Sequence, residues 1–381
     1  MSIHPTHLHP LSSQDNSLPL FERYFQDYDA VKENTRDILC EAWQKNILPE
    51  GWIRKDFTDH DNGMTFPCYR ADAGEPWLEI RFALGLNATA FAYRRAVSFM
   101  NSIGISVVMM ELPNTGLKTE FMPAYVKGNH RFYNDDSLPI HQTSKPRIPR
   151  LQMDHSTNGL CTGLNELQES KRLENSRKFI GAISMASFFA LAGASKLFHP
   201  RRRQAFNRMS HPDTIHLRTE ETRIGRYYSS LLKVLGEPQV FSSTKNPPYA
   251  AIFELVAYAE YYVDALLNKD QSSGVKRLYI VPKNDTVACP KTLKKVADLL
   301  GGETFKMKNY HNPLLESPEK LMRRLVQFAF EQLGDVIHDL PTQRAEQFLE
   351  ESLAAKAERK WLKTIGVLIP GASKQAKMQP S

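Results

Sequence analysis

Two apolar runs of strand length, Trp77–Leu84 and Ser106–Leu112, flank a helical stretch from Phe91 to Ile103. Gly85 ends the first run, Gly104 closes the helix, and Pro113-Asn-Thr-Gly116 ends the second run. Two strands joined through a helix cannot form a hairpin. They lie parallel in one sheet, with the helix as the crossover. Such strands are covered on both faces and read as near-continuous apolar runs. This unit therefore directs the chain to an α/β fold: a mostly parallel sheet flanked by helices.

The rest of the chain extends that sheet. Leu151–Met153, Phe179–Ser184, Arg277–Val281 and Thr304–Met307 read as further strands. Leu160–Glu174, Lys291–Leu300 and Ser317–Leu333 read as helices, the second stopped by Gly301-Gly302. Ahead of the parallel unit, Trp52–Phe57 and Met64–Tyr69 form a hairpin around Asp61-Asn-Gly63, with Pro67 placing its second strand at an edge. Residues 1–18 read as a disordered lead, followed by a helical stripe of Phe21, Tyr24, Phe25 and Tyr28. Residues 118–148 carry little pattern. Residues 188–268 read as an irregular helical insertion. The expected organisation is a lead (1–18), a core in two parts (19–187 and 269–340), a helical cap between them (188–268), and a basic C-terminal helix and tail (341–381).

Composition narrows the function classes. The chain has 381 residues, 41% hydrophobic and 24% charged, with a net charge of +7. That balance suits acidic surfaces such as phospholipid without requiring nucleic acid, and no RNA-binding or finger motif is present. The four cysteines are far apart, as expected of reduced thiols in a cytoplasmic protein. Met1–Leu18 has no apolar leader, and the most apolar stretch, Phe179–Ala194, is shorter than the ~20 residues of a spanning helix. HExxH, P-loop and GxGxxG motifs are absent, so neither a metal nor a nucleotide cofactor is expected.

The chemistry-bearing residues follow strands. Arg150-Leu-Gln-Met-Asp-His-Ser156-Thr-Asn-Gly159 is a strand, a polar turn with a serine, and then a helix. That layout lifts a serine hydroxyl above a sheet and aims the next helix's N–H groups at a reacting oxygen. Asp285 follows the strand ending at Val281, and His311 follows the strand ending at Met307. Open parallel sheets place their sites at such carboxyl ends. Serine is a weak nucleophile until an imidazole takes its proton, and an acid holds that imidazole in the useful tautomer. Ala182-Ile-Ser184-Met-Ala186 offers a rival serine, but strand order favours Ser156, because Ser184 falls in the strand after the elbow helix.

The motifs resemble those of α/β-hydrolases of the lysophospholipase and monoacylglycerol-lipase type. Leu84-Gly85-Leu86-Asn87, with Tyr93 following, resembles their H-G-x-x strand end. Asp154-His155-Ser156-Thr157-Asn158-Gly159 resembles their G-H-S-M-G-G elbow. Asp285-Thr-Val287 matches their acid loop, and Tyr310-His311-Asn-Pro-Leu-Leu-Glu316 resembles their Y-H-E-x-L-x-E segment. Over about residues 50–335 the resemblance implies an α/β-hydrolase fold with an inserted helical cap. It implies a serine ester hydrolase cleaving a lysophospholipid or monoacylglycerol, with catalytic Ser156, Asp285 and His311. The N–H groups of Leu86 and Thr157 would form the oxyanion hole, and no cofactor is implied.

Departures from the family pattern motivate an alternative. Leu84 replaces the family histidine, and Asp154 and Asn158 replace small elbow residues. An unpaired carboxylate near the site would oppose an oxyanion. An active enzyme therefore needs Asp154 turned away and supplied with its own donor. Otherwise the chain is a catalytically weakened hydrolase-fold protein serving as a binding or regulatory module. Arg344–Leu362 reads as a helix with Phe348, Leu349 and Leu353 on one face, and Lys356, Arg359, Lys360 and Lys363 surround Trp361. That cluster suits peripheral contact with an anionic membrane. Acyl-chain length, head group, hydrolysis against acyl transfer, and oligomeric state have no signature in the chain.

Overall fold

The computed structural model describes residues 47–59, 63–85, 88–111, 132, 137–142, 148–155, 179–185, 276–285 and 290–351. The expected lead and helical stripe, the elbow turn and its helix, the cap at 188–268 and the tail from residue 352 lie outside the described residues.

Ten strands are present in the described segments: β1 (Trp52–Arg54), β2 (Phe57–Asp59), β3 (Met64–Phe66), β4 (Cys68–Ala71), β5 (Leu78–Ala83), β6 (Ile105–Met110), β7 (Arg150–His155), β8 (Phe179–Met185), β9 (Arg277–Pro282) and β10 (Glu303–Met307). Eight of them form one sheet in the order β1-β4-β6-β5-β7-β8-β9-β10. The pairs β1/β4 and β4/β6 are antiparallel, and every pair from β6 to β10 is parallel. The helices are α1 (Arg94–Ser102), α2 (Pro290–Leu300), α3 (Pro313–Glu316), α4 (Pro318–Leu333) and α5 (Gln343–Glu350).

The chain steps from β5 to β6 on one side and then returns to place β7 on the other side of β5. That reversal opens a crevice at the carboxyl ends of β5 and β7, the position where open α/β sheets bind ligands. Gly85 follows β5, and His155 ends β7.

The two sheet faces differ in chemistry. Ile80, Phe82, Val107, Met109, Leu151, Met153 and Ile183 are buried in the apolar core with residues of α1, α4 and α5. Ring contacts fix that layer: Trp77 meets Phe330 at 5.2 Å, Phe82 meets Tyr93 at 5.2 Å, and Phe99 meets Phe348 at 4.9 Å. Each fully buried large apolar side chain contributes about 1.5–3 kcal/mol. Alternation sends Glu79, Arg81, Gln152 and Asp154 to the other face, yet they too are buried. Glu79 is held between two guanidiniums, 3.1 Å from Arg70 Nη1 and 3.0 Å from Arg81 Nε. Charges inside a strand are tolerated because they are paired.

Local chemistry sets the element ends. Gly104 adopts φ +81 between α1 and β6, and a Cβ there would lie 2.7 Å from Trp77. Pro318 opens α4 at a position where an N–H would have no partner in the helix.

Two expectations are corrected. The hairpin is split: β2 pairs with β3, while β1 pairs with β4. β4 is an interior strand rather than an edge, because Pro67 lies in the break between β3 and β4, where no ladder N–H is required. Its carbonyl accepts from Glu111 N at 2.9 Å. Of the expected C-terminal helix, α5 covers the part up to Glu350, Glu351 is extended at φ −60, ψ 141, and residues from 352 lie outside the described residues. Glu350 and Glu351 place negative charge at the helix end that disfavours it. α5 packs on the core through Phe348, and Arg323 Nη1 donates to its carbonyl at 2.7 Å.

Candidate active site

Asp285 and His311 come from the loops after β9 and β10 and meet at the carboxyl edge of the sheet. Nδ1 of His311 lies 2.9 Å from Oδ2 of Asp285, and both residues are buried. A carboxylate can only accept, so Nδ1 carries the proton and Nε2 of neutral His311 keeps its lone pair. Burial opposes protonation of His311, but the charge and hydrogen bond of Asp285, with the charge of Glu316, outweigh it and raise the imidazole pKa.

The histidine loop is built by its own sequence. Asn312 caps α3, its side chain accepting from Leu315 N, and Pro313 opens the helix. Glu316 turns back and accepts from the backbone N–H groups of Tyr310 (2.7 Å), His311 (2.9 Å) and Asn312 (2.7 Å). Asn312 Nδ2 donates to the Tyr93 hydroxyl at 2.8 Å, joining this loop to the segment after β5.

His155 reaches the same place from β7. Its ring centroid lies 5.0 Å from that of His311, and its Nε2 is 3.2 Å from the His311 carbonyl oxygen. Gly85 makes room: a Cβ there would lie 2.6 Å from His155 Nδ1. Burial, and then the positive charge on His311, push His155 down to about 3, while its hydrogen bond to the His311 carbonyl acts weakly the other way.

Asp154 points to the opposite sheet face from His155 and is fully buried. Its Oδ1 accepts from Ser184 Oγ at 2.7 Å, so it has a donor of its own. Ser184 lies inside β8, paired between Asp154 and Tyr279, and not at a turn. At the end of β6, the buried Glu111 accepts from Ala90 N at 2.6 Å and holds the segment beyond residues 86 and 87.

No family model matches the sequence, and no curated protein matches it. Solved structures do. A highly thermostable carboxyl esterase from Bacillus coagulans, in complex with glycerol, aligns at a TM-score of 0.52 and 14% identity, over 74% of this chain and 98% of its own. An alpha/beta hydrolase from Penicillium sp. sh18 aligns at a TM-score of 0.49 and 12% identity, over 74% of this chain and 98% of its own.

The chain has the α/β-hydrolase fold.

Within that fold, Ser156 follows β7 directly in sequence, one residue after His155. Ser156, Leu86 and Thr157 lie outside the described residues, as does the cap. Of the expected site residues, the structure brings together Asp285 and His311. Sequence reasoning missed the contact of His155 with the His311 carbonyl. It also missed the three N–H groups held by Glu316, although both residues stood inside the quoted motifs. The anchoring of Ala90 by Glu111 was likewise missed. Among the described residues, no group of three His, Cys, Asp or Glu is placed to hold a metal ion. No described helix is long and apolar enough to cross a membrane.

Proposed function

We propose that this chain is a serine ester hydrolase cleaving a lipid carboxylic ester, a lysophospholipid or a monoacylglycerol, through an acyl-enzyme. The observation that carries the proposal is the buried Asp285–His311 pair at the carboxyl edge of an α/β-hydrolase sheet, in ring contact with His155, the residue before Ser156.

The mechanism follows from the proton positions. With Nδ1–H committed to Asp285, His311 Nε2 is the basic nitrogen that takes the Ser156 proton as Oγ attacks the ester carbonyl. The resulting imidazolium is stabilised by Asp285 and then protonates the departing alcohol. Water deacylates the enzyme by the same route in reverse. The N–H groups of Leu86 and Thr157 are proposed to hold the oxyanion. The Asp154 carboxylate points to the sheet face opposite His155 and accepts from Ser184 Oγ, which supports an elbow that an oxyanion can share with it. Lipid substrates are favoured by the motif resemblance and by the basic charge of +7.

The test is hydrolysis of monoacylglycerol and lysophosphatidylcholine by the purified chain, beside His311→Ala. Turnover by the parent that is lost in the variant supports the reading. A folded parent that releases no fatty acid from either substrate, or from a short-chain ester, refutes it and leaves a binding module.

The proposal extends to the membrane. Lys356, Arg359, Lys360 and Lys363 around Trp361 are proposed to hold the protein on anionic lipid, each charge contributing about 1 kcal/mol. Deleting residues 356–381 should weaken salt-sensitive binding to phosphatidylserine vesicles. Unchanged binding would exclude this contact.

A further inference from the structure

We propose that His155 is a positioning residue for His311. It would tie the end of β7, where Ser156 follows in the chain, to the backbone of the loop that carries the base. The proposal rests on the serine-hydrolase reading for its kinetic consequence and on geometry alone for its structural one.

Three observations converge on it. The His155 Nε2 atom lies 3.2 Å from the His311 carbonyl oxygen. A carbonyl only accepts, so the proton of His155 sits on Nε2 and the ring is a donor to the histidine loop. The ring is also confined. His155 is 1% exposed, and its Nδ1 lies against Gly85 at a spacing that leaves no room for a Cβ. Gly85 ends β5, so the crevice between β5 and β7 clamps this imidazole and directs its one donor outward. Finally, His155 stays neutral. Burial and the neighbouring His311 hold it near 3, so its tautomer does not change over the range in which His311 titrates.

The consequence is a direct tie between the end of β7, which Ser156 follows in the chain, and the loop that carries the proposed base. Ser156 is bonded to His155, and consecutive Cα atoms are about 3.8 Å apart. His155 in turn holds the backbone of His311. Among the described residues, the charged and titratable groups facing His311 include Asp285 after β9, Glu316 on α3, and His155 at the end of β7. Of these, Asp285 and Glu316 raise its pKa, and Asp285 acts through a hydrogen bond that depends on where the loop sits. Removing the His155 donor takes away the tie to β7 and leaves the loop held by Glu316 and Asn312. It loosens the Asp285 contact and moves the base relative to Ser156. Displacements of about 1 Å at such a site cost about 10²-fold in rate.

The variants are His155→Phe, which keeps a ring without a donor, and His155→Gln, whose Nε2–H reaches about as far as the imidazole's. In the folded Phe variant, kcat should fall about 10–100-fold with KM within about twofold. The His311 imidazole, followed by NMR across the pH range, should titrate closer to the ordinary 6.5 than in the parent. The Gln variant should recover the parental titration and most of the rate. The proposal is overturned by a folded Phe variant with parental His311 titration, or by a Gln variant no better than Phe. Should the Phe variant not fold, His155→Leu replaces it: a His311 titration moved toward the ordinary imidazole value sustains the proposal, and parental titration overturns it. A parent that hydrolyses no ester would refute the proposed activity, while the titration would still decide the role of His155.

Discussion

Asp285 and His311 stand 26 positions apart in sequence, yet their side chains meet at 2.9 Å on the carboxyl edge of the sheet. β9 and β10 are adjacent and parallel, so the loops that follow them emerge side by side. An acid on one loop and an imidazole on the next make a proton-handling pair.

On the proposed reading, that pair sets the pH dependence of activity. His311 would act as base only when neutral; burial opposes its protonation, but Asp285 and Glu316 outweigh burial and raise its pKa. The acid limb of kcat/KM should therefore lie above the ordinary 6.5. Asp285→Asn removes the charge and turns an N–H toward Nδ1, favouring the unproductive tautomer. It should lower kcat about 10³–10⁴-fold and move the limb to lower pH. A pH–rate profile of the two proteins checks both outcomes, and an unmoved limb would contradict the assignment.

Much of this arrangement is legible in the sequence, for physical reasons. β5, β6, β7 and β9 are apolar runs bounded by turn residues, so their existence and parallel order follow from the pattern. Asp285 and His311 stand in loops directly after strands, which is where the fold collects its chemistry. Pairing across Pro67 was not legible. A proline inside an alternating run reads as an edge signal, and only the sheet shows that it marks a break between two strands. The burial of Glu79 and Arg81 depends on Arg70, which comes from a different strand. In the sequence His155 stands out only as the neighbour of Ser156. Its contact with the His311 carbonyl, 156 positions away, has no local signal.

Glu316 tests the construction of the histidine loop. Its carboxylate accepts from three backbone N–H groups, those of His311 and Asn312 buried and that of Tyr310 half-buried, and Glu316→Ala leaves all three without that acceptor. Each buried donor left unsatisfied costs about 1–3 kcal/mol, so the loss from His311 and Asn312 alone should be on the order of 2 kcal/mol or more. Glu316→Gln keeps one acceptor oxygen, enough for His311 and Asn312, but turns an amide N–H toward Tyr310 N. It should fall between the parent and the Ala variant in urea denaturation. Equal stability of all three proteins would show that the loop is held otherwise.

Glu111 makes stability depend on pH. Burial, aided by the charge of Asp56, raises its pKa from 4.5 to about 7, against the Ala90 N–H and the charge of Arg54. Between about 4.5 and 7 the native state keeps a proton that the unfolded chain has released. This contribution is therefore fully present below 4.5 and is lost as pH rises through 7. It amounts to on the order of 3 kcal/mol. Glu111→Gln keeps an acceptor for Ala90 and removes the titration. The difference in unfolding free energy between variant and parent should shift toward the variant as pH rises from 4.5 to 8. A constant difference would contradict the assignment.

Ser156 is the residue on which the proposed activity turns. A fluorophosphonate probe reacts with a serine only when a neighbouring base activates it, so labelling of the purified protein reports the nucleophile directly. One modified peptide is expected, carrying Ser156, and its labelling is abolished by Ser156→Ala and by His311→Ala. Absence of labelling in the folded parent, or labelling that persists in Ser156→Ala and is lost in Ser184→Ala, would contradict it.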